Sequence, residues 1–205
     1  MCENNCNWLK IAISILSAIG TLIVAIVAIW GDWVRAKLAP PKLTIDKHNL
    51  RGSLTNYNSG QKVIFYHLRV VNHRHWFVSR NCRVILKQIF KKGPDGEYHP
   101  VSYVVPLQFT WSPSEFTPIV TTINKEQVLD FGCIGEGDAF FKPTLYSYSN
   151  NFKGYLHAQE SIRYCLEIIS DNYVSKSPTI VEVSWNGQWN DNLDIMEQNL
   201  VIKVL

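Results

Sequence analysis

The stretch WLKIAISILSAIGTLIVAIVAIW, Trp8 to Trp30, is 23 residues long and carries one charge, Lys10, in its first turn. As a helix it spans about 34 Å, enough to cross a hydrocarbon core of roughly 30 Å with some tilt. A secretory signal has a shorter apolar region followed by small residues, whereas this run ends in Trp30, and the nearest A-x-A-like site, Lys37-Leu38-Ala39, meets Pro40. A buried core helix would show a polar stripe. Here the only hydroxyls are Ser14, Ser17 and Thr21, which can bond the helix's own carbonyls. The run is read as a single membrane span preceded by a short stub, residues 1–7.

The flanks give a direction. Lys10 and the α-amine precede the span, with Glu3 close by, while Arg35, Lys37, Lys42 and Lys47 follow it. Lys and Arg are retained on the cytoplasmic side, so the C-terminal domain is expected in the cytoplasm, at a cell inner membrane. Trp8, Trp30 and Trp33 suit the two interfaces. The five cysteines, Cys2, Cys6, Cys82, Cys133 and Cys165, form no regular framework, and no N-x-S/T acceptor occurs. Both fit a reducing compartment, although a Cys82–Cys165 bridge between sheets is conceivable outside one. Ser14, Ser17, Ala18, Thr21, Ala25 and Ala28 share one helical face of small residues, which lets spans approach and self-associate.

Residues 31–41 read as a short linker ended by Pro40-Pro41, a pair that cannot continue a helix. From residue 42 to 205 the composition is that of one all-β domain. The expected strands are Leu43–Lys47, Val63–Asn72, Cys82–Phe90, Val101–Phe109, Ile119–Ile123, Gln127–Cys133, Thr144–Tyr148, Ile162–Ser170, Thr179–Trp185 and Leu200–Leu205. Turn signals such as Asn58-Ser59-Gly60, Gly93-Pro94-Asp95-Gly96 and Asn186-Gly187 separate them. Only Asp191–Gln198, capped by Asn190 or Asp191, reads as a short helix.

Alternation assigns the faces. In Val63–Asn72, Ile64, Tyr66, Leu68 and Val70 share one side; in Cys82–Phe90, Cys82, Val84, Leu86 and Gln88 do. One apolar and one mixed face per strand, with no intervening helices, predicts an antiparallel sandwich. An immunoglobulin-like sandwich is the first choice and a closed barrel the second.

The stretch from His67 to Asn72, a short loop, and then Ser79 to Leu86 resembles the strand–loop–strand of bacterial immunoglobulin-like domains of the CARDB kind, where V-x-N precedes a turn. The close, Tyr164 to Ile168 followed by Ile180 to Trp189 with Trp185-Asn186-Gly187-Gln188-Trp189, is similar to that of uncharacterised bacterial single-pass membrane proteins. The likeness covers about a third of the chain and implies fold and membrane placement, with no activity or site. The turn after Asn72 would often hold glycine in such domains, and here it reads His73-Arg74-His75-Trp76-Phe77.

No G-x-S-x-G, P-loop, H-E-x-x-H or C-x-x-C motif is present, so no catalytic residues are assigned and no enzyme is expected. His73 and His75 form an H-x-H pair to which His67 would add a third nitrogen. No carboxylate or thiolate adjoins them, and neither metal nor cofactor is expected. Arg69, His73, Arg74, His75, Trp76 and Arg80 combine guanidinium groups, imidazoles and an indole within twelve residues, a mixture suited to a nucleotide, phosphate, headgroup or protein partner. Asp191, Asp194 and Glu197 resemble oxygen ligands for calcium but lack an EF-hand's glycine and spacing; Gly135-Glu136-Gly137-Asp138 reads as a turn. A formal net charge of +3 without a dense basic patch argues against a dedicated nucleic-acid binder.

Three functions remain open. The first is a non-enzymatic, membrane-anchored recognition module that binds a protein or small ligand through its end loops. The alternative is an oligomerising membrane effector, as in phage defence, whose β-domain senses a cytosolic signal such as a nucleotide and drives assembly of the spans. An enzyme with an unrecognised site is the third.

Overall fold

The computed structural model describes residues 3–38, 41–101, 106–113 and 118–205, without the side chains of residues 3–7, 9 and 32–38. The side chains of Cys2, Glu3, Cys6, Trp33, Arg35 and Lys37, and residues 102–105 of the strand expected at Val101–Phe109, lie outside this set. The chain divides into two compact units, Met1–Pro40 and Pro41–Leu205.

The first unit is one helix, α1 (Glu3–Leu38). Its segment Lys10–Gly31 has a mean hydropathy of 2.6 and none of it is buried, so it is long and apolar enough to cross a membrane. The helix does not stop at Trp30 as the linker reading expected. Residues 31–38 contain no proline, and the first signal that forbids a further turn is Pro40, which also biases the residue before it away from helix.

The second unit contains the strands β1 (Leu43–Asn56), β2 (Lys62–Asn72), β3 (Ser79–Lys92), β4 (Tyr98–Pro100), β5 (Leu107–Gln108), β6 (Thr110–Trp111) and β7 (Thr121–Ile123). They are followed by β8 (Glu126–Gly135), β9 (Phe140–Pro143), β10 (Leu156–His157), β11 (Glu160–Ser170), β12 (Tyr173–Val174), β13 (Thr179–Trp185), α2 (Leu193–Asn199) and β14 (Leu200–Val204). One sheet runs β1-β2-β8-β9-β10, with β6 also on β8; the other runs β14-β13-β11-β3-β4, with β12 on β11 and β5 and β7 on β3. Neighbours pair antiparallel. Because β2 and β3 are consecutive yet lie in different sheets, and β11 returns to pair with β3, the connections form the Greek key of an immunoglobulin-like sandwich.

The alternation read from sequence places the core along β2 and along β3 as far as Leu86; beyond it a register shift turns Gln88 out, against expectation, and Ile89 in. Ile64, Tyr66, Leu68 and Val70 of β2 face Val84 and Leu86 of β3 and Ile162, Tyr164 and Leu166 of β11 in one cluster with no exposed surface. Phe131 of β8 joins the sheets: it stacks on Phe109 at 5.8 Å and meets the Tyr164 ring edge-on at 5.7 Å. The next residue must be small, since a Cβ on Gly132 would enter the Phe141 ring. The Tyr164 hydroxyl donates to the Gly154 carbonyl at 2.7 Å, which satisfies its one buried polar atom.

The short strands β4, β10 and β12 lie outside the expected strands, and three further elements differ from expectation. β1 continues to Asn56 through register shifts near Asn49, its mostly exposed second half pairing with β2 from Ser53 opposite Phe65 to Asn56 opposite Lys62. The strand expected at Thr144–Tyr148 is instead β9, four residues earlier; the Tyr148 hydroxyl donates to Pro143 O at 2.5 Å and accepts from Leu145 N–H at 3.2 Å, curling that segment on itself. The α2 cap is Asn192, whose side chain accepts from Asp194 N–H at 3.0 Å. Asn190 is spent on Asn192 N–H and Asp191 on Lys62. Replacing Phe131 with alanine is expected to lower stability by about 3–5 kcal/mol, against about 1 kcal/mol for the half-buried, outward-facing Phe65→Ala. Urea unfolding of the full chain in detergent micelles reads the difference.

Candidate functional site

The loop from His73 to Val78 is built by one buried carboxamide. Asn72 stands at an inward position of β2 and is fully buried, where an amide needs partners on both ends. Its Nδ2 donates to Phe77 O at 2.5 Å and to Asn124 O at 3.3 Å, and its Oδ1 accepts from Arg74 N–H at 3.0 Å. Phe77 N–H closes the turn on Arg74 O at 2.9 Å. The loop is also strapped to its neighbours: Asn72 N–H donates to Lys125 O at 2.7 Å and His73 N–H to Lys42 O at 2.9 Å. This explains physically why an asparagine closes β2 here.

On this frame Trp76 is 74% exposed, the most exposed aromatic among the described residues of the sandwich. His73 Nε2 lies 2.8 Å from Thr44 Oγ1. His75 and Arg80 are exposed, and the Arg80 carbonyl accepts from Asp171 N–H at 3.1 Å. After Arg80 comes Asn81, in the left-handed region at φ 54°, with its Nδ2 donating to Asp171 Oδ2 at 2.7 Å. Five of the expected contact residues, His73, Arg74, His75, Trp76 and Arg80, thus gather around one end of the sandwich. Arg69 is placed elsewhere: it sits on the outer face of β2 and pairs with Glu126 at 3.3 Å. Sequence reading missed Lys42, Thr44 and Lys125, which reach the loop only through strand pairing.

The other motifs resolve into structural roles. His67 Nδ1 lies 2.9 Å from Asp130 Oδ1, without hydrogen-bond alignment, and does not join His73 and His75. No cluster of three metal-ligating side chains occurs among the described residues. Asp191 pairs with Lys62 at 2.6 Å, while Asp194 and Glu197 both engage Arg51, so the acidic run is neutralised by the β1–β2 hairpin. Asp138 accepts from Gly135 N–H at 2.6 Å in the expected turn.

Cys82, Cys133 and Cys165 are free and buried, and burial pushes all three thiols up, which leaves them protonated at neutral pH. The conceivable Cys82–Cys165 bridge is excluded: both lie in one sheet, and the register pairs Cys165 with Gln88 and Arg83 with Ile169. Along the strands the two are about 16 Å apart, far beyond disulfide reach. In α1 the side chains of Ser14, Ser17, Ala18, Thr21, Ala25 and Ala28 are all exposed, and the Thr21 hydroxyl donates to Ser17 O at 2.9 Å. That bond leaves the small face without an unsatisfied hydroxyl at Thr21.

An exposed indole beside guanidinium and imidazole groups can stack on a planar ring and pair with an anionic group. No family model matches the chain, and no curated protein or solved structure matches it. Removing the frame without touching the contact residues separates their roles: Asn72→Ala is expected to lower stability by about 2 kcal/mol and to speed tryptic cleavage after Arg74. Gel analysis of timed digests checks this.

Proposed function

We propose that this chain is a single-pass, membrane-anchored recognition module: α1 crosses the membrane, the sandwich stands in the cytoplasm, and the His73–Val78 end binds a partner without catalysing a reaction on it. The observation that carries this reading is the rigid frame beneath an exposed Trp76. Trp and Arg dominate binding hot spots, and a loop already ordered by Asn72 loses little entropy when a partner covers it. The cytoplasmic side rests on the excess of Lys and Arg after the span, Arg35, Lys37, Lys42 and Lys47 against Lys10. The anchor supplies location, and the loop supplies contact. The mixture of cations and an indole suits a protein surface rich in carboxylates, or a nucleotide whose base stacks while its phosphates pair.

Photocrosslinking tests the proposal. With p-benzoylphenylalanine at position 76 of the full-length chain in native membranes, irradiation is expected to yield a discrete protein or nucleotide adduct, absent when the probe sits at position 54. Arg80→Ser should weaken the adduct about tenfold while the chain stays in the membrane. Equal labelling at 76 and 54, or labelling indifferent to Arg80→Ser, overturns it.

A further inference from the structure

At the opposite end of β3 from the Trp76 loop, the outer face of the second sheet dips into a cavity of about 420 Å³. That volume lies within the range of small-molecule sites. Its floor is a row across three strands, since Ser161 of β11 pairs with Ser184 of β13, and Ser184 with Val201 of β14. Its walls come from the end of β3 at Lys92 and the turn after it at Gly93, the β10–β11 turn at Gln159, the segment after β13 at Asn186, and the end of α2 at Gln198 and Asn199.

These walls are fixed before any ligand arrives. Gln159 N–H donates to Trp185 O at 2.7 Å, and Asn186 N–H donates to Asn199 O at 2.9 Å. A second bond between the same asparagines, Asn186 Nδ2 to Asn199 Oδ1 at 2.8 Å, locks the segment after β13 to the helix. Gln159 holds a left-handed backbone at φ 62°, unusual for a residue with a side chain. Strain of this kind persists only where the surroundings over-determine it, and it concentrates at ligand sites. The Trp185-Asn186-Gly187-Gln188-Trp189 segment, which the Trp76 loop does not use, thus has a place here: its Trp185 and Asn186 line the cavity.

What the cavity offers is specific in kind. The Ser184 hydroxyl, the Gln159 and Gln198 carboxamides and the Lys92 ammonium make no side-chain hydrogen bond or ion pair among the described residues. Ser161 is turned away, its hydroxyl 2.7 Å from the Tyr98 hydroxyl. Glu160 is held by Lys91 at 3.0 Å and by His157 N–H at 3.0 Å. The one carboxylate of the lining, Glu160, is already paired by Lys91, and the one cation, Lys92, is exposed, so most of what the lining offers a ligand is carboxamide and hydroxyl. Carboxamides and hydroxyls both donate and accept, the pattern that matches ligand hydroxyls.

We propose that this cavity binds a neutral, hydroxyl-rich small molecule of one or two sugar rings. The site shares no lining residue with the Trp76 loop, and it gives the module a second ligand of its own.

The test is saturation-transfer NMR on the full-length chain in nanodiscs, with glucose, maltose, adenosine and inorganic phosphate as probes. Saturation transfer to at least one of glucose, maltose and adenosine at millimolar concentration is expected. Exposed Gln198→Ala and half-buried Ser184→Val should each weaken its affinity about five- to tenfold, the loss of roughly one hydrogen bond. Phosphate should not compete, and Trp76→Ala should leave binding unchanged, so failure here is distinguishable from failure of the loop. The assignment is overturned if glucose, maltose and adenosine all fail to bind, if phosphate displaces them, or if both variants bind as the parent does.

Discussion

The Phe131 ring lies flat against Phe109 and takes the edge of Tyr164, and this contact ties a strand of one sheet to a strand of the other at the centre of the sandwich. Everything that can bind a partner hangs from the separation it sets. Sheets pack about 10 Å apart when large side chains from both faces interdigitate. Gly132 lets the Phe141 ring close over β8, and the Tyr164 hydroxyl finds the Gly154 carbonyl, so the aromatic centre is filled without stranding that group. With the sheets held this way, each strand end falls at a defined place, and the loops at the two ends are positioned by the core.

The two ends differ in chemistry because different constraints shaped them. At the start of β3 a buried asparagine organises a loop of cations and an exposed indole, and neighbouring backbone carbonyls brace it. At the end of β3, paired asparagines and a left-handed glutamine hold a bowl of hydroxyl and amide groups with a single exposed cation, Lys92. The first suits a charged or planar partner, and the second a neutral polar one. Separation by the full length of a strand lets the two be occupied at once.

Much of the architecture was legible because burial on one face imposes a period of two. The inward set Ile64, Tyr66, Leu68 and Val70 is buried as the alternation implies, and the strand ends at Asn72 and Trp185 fall where turn chemistry puts them. Where a segment is mostly exposed, as in the second half of β1, no apolar alternation exists to read. Side-chain choice also hid the curl at Tyr148 and the cap at Asn192, since several nearby residues were chemically able to play either part. Of the expected contact residues, five come together at the loop, whereas Arg69 stands on the outer face of β2, where the alternation of the strand puts it, and pairs with Glu126.

The sequence by itself determined a helix long and apolar enough to cross a membrane, a two-faced set of antiparallel strands, and a cationic, aromatic segment between two of them. These are local properties: hydropathy over one run, and alternation along one strand. Only the tertiary structure decided which carboxylates meet which cations, that Cys82 and Cys165 lie far apart in one sheet, and that Ser184, Gln159 and Gln198 line one cavity. Such meetings depend on strand order and register. A shift of one residue in register would turn every side chain of a strand to the other face, and register is fixed only when all the inward faces pack at once.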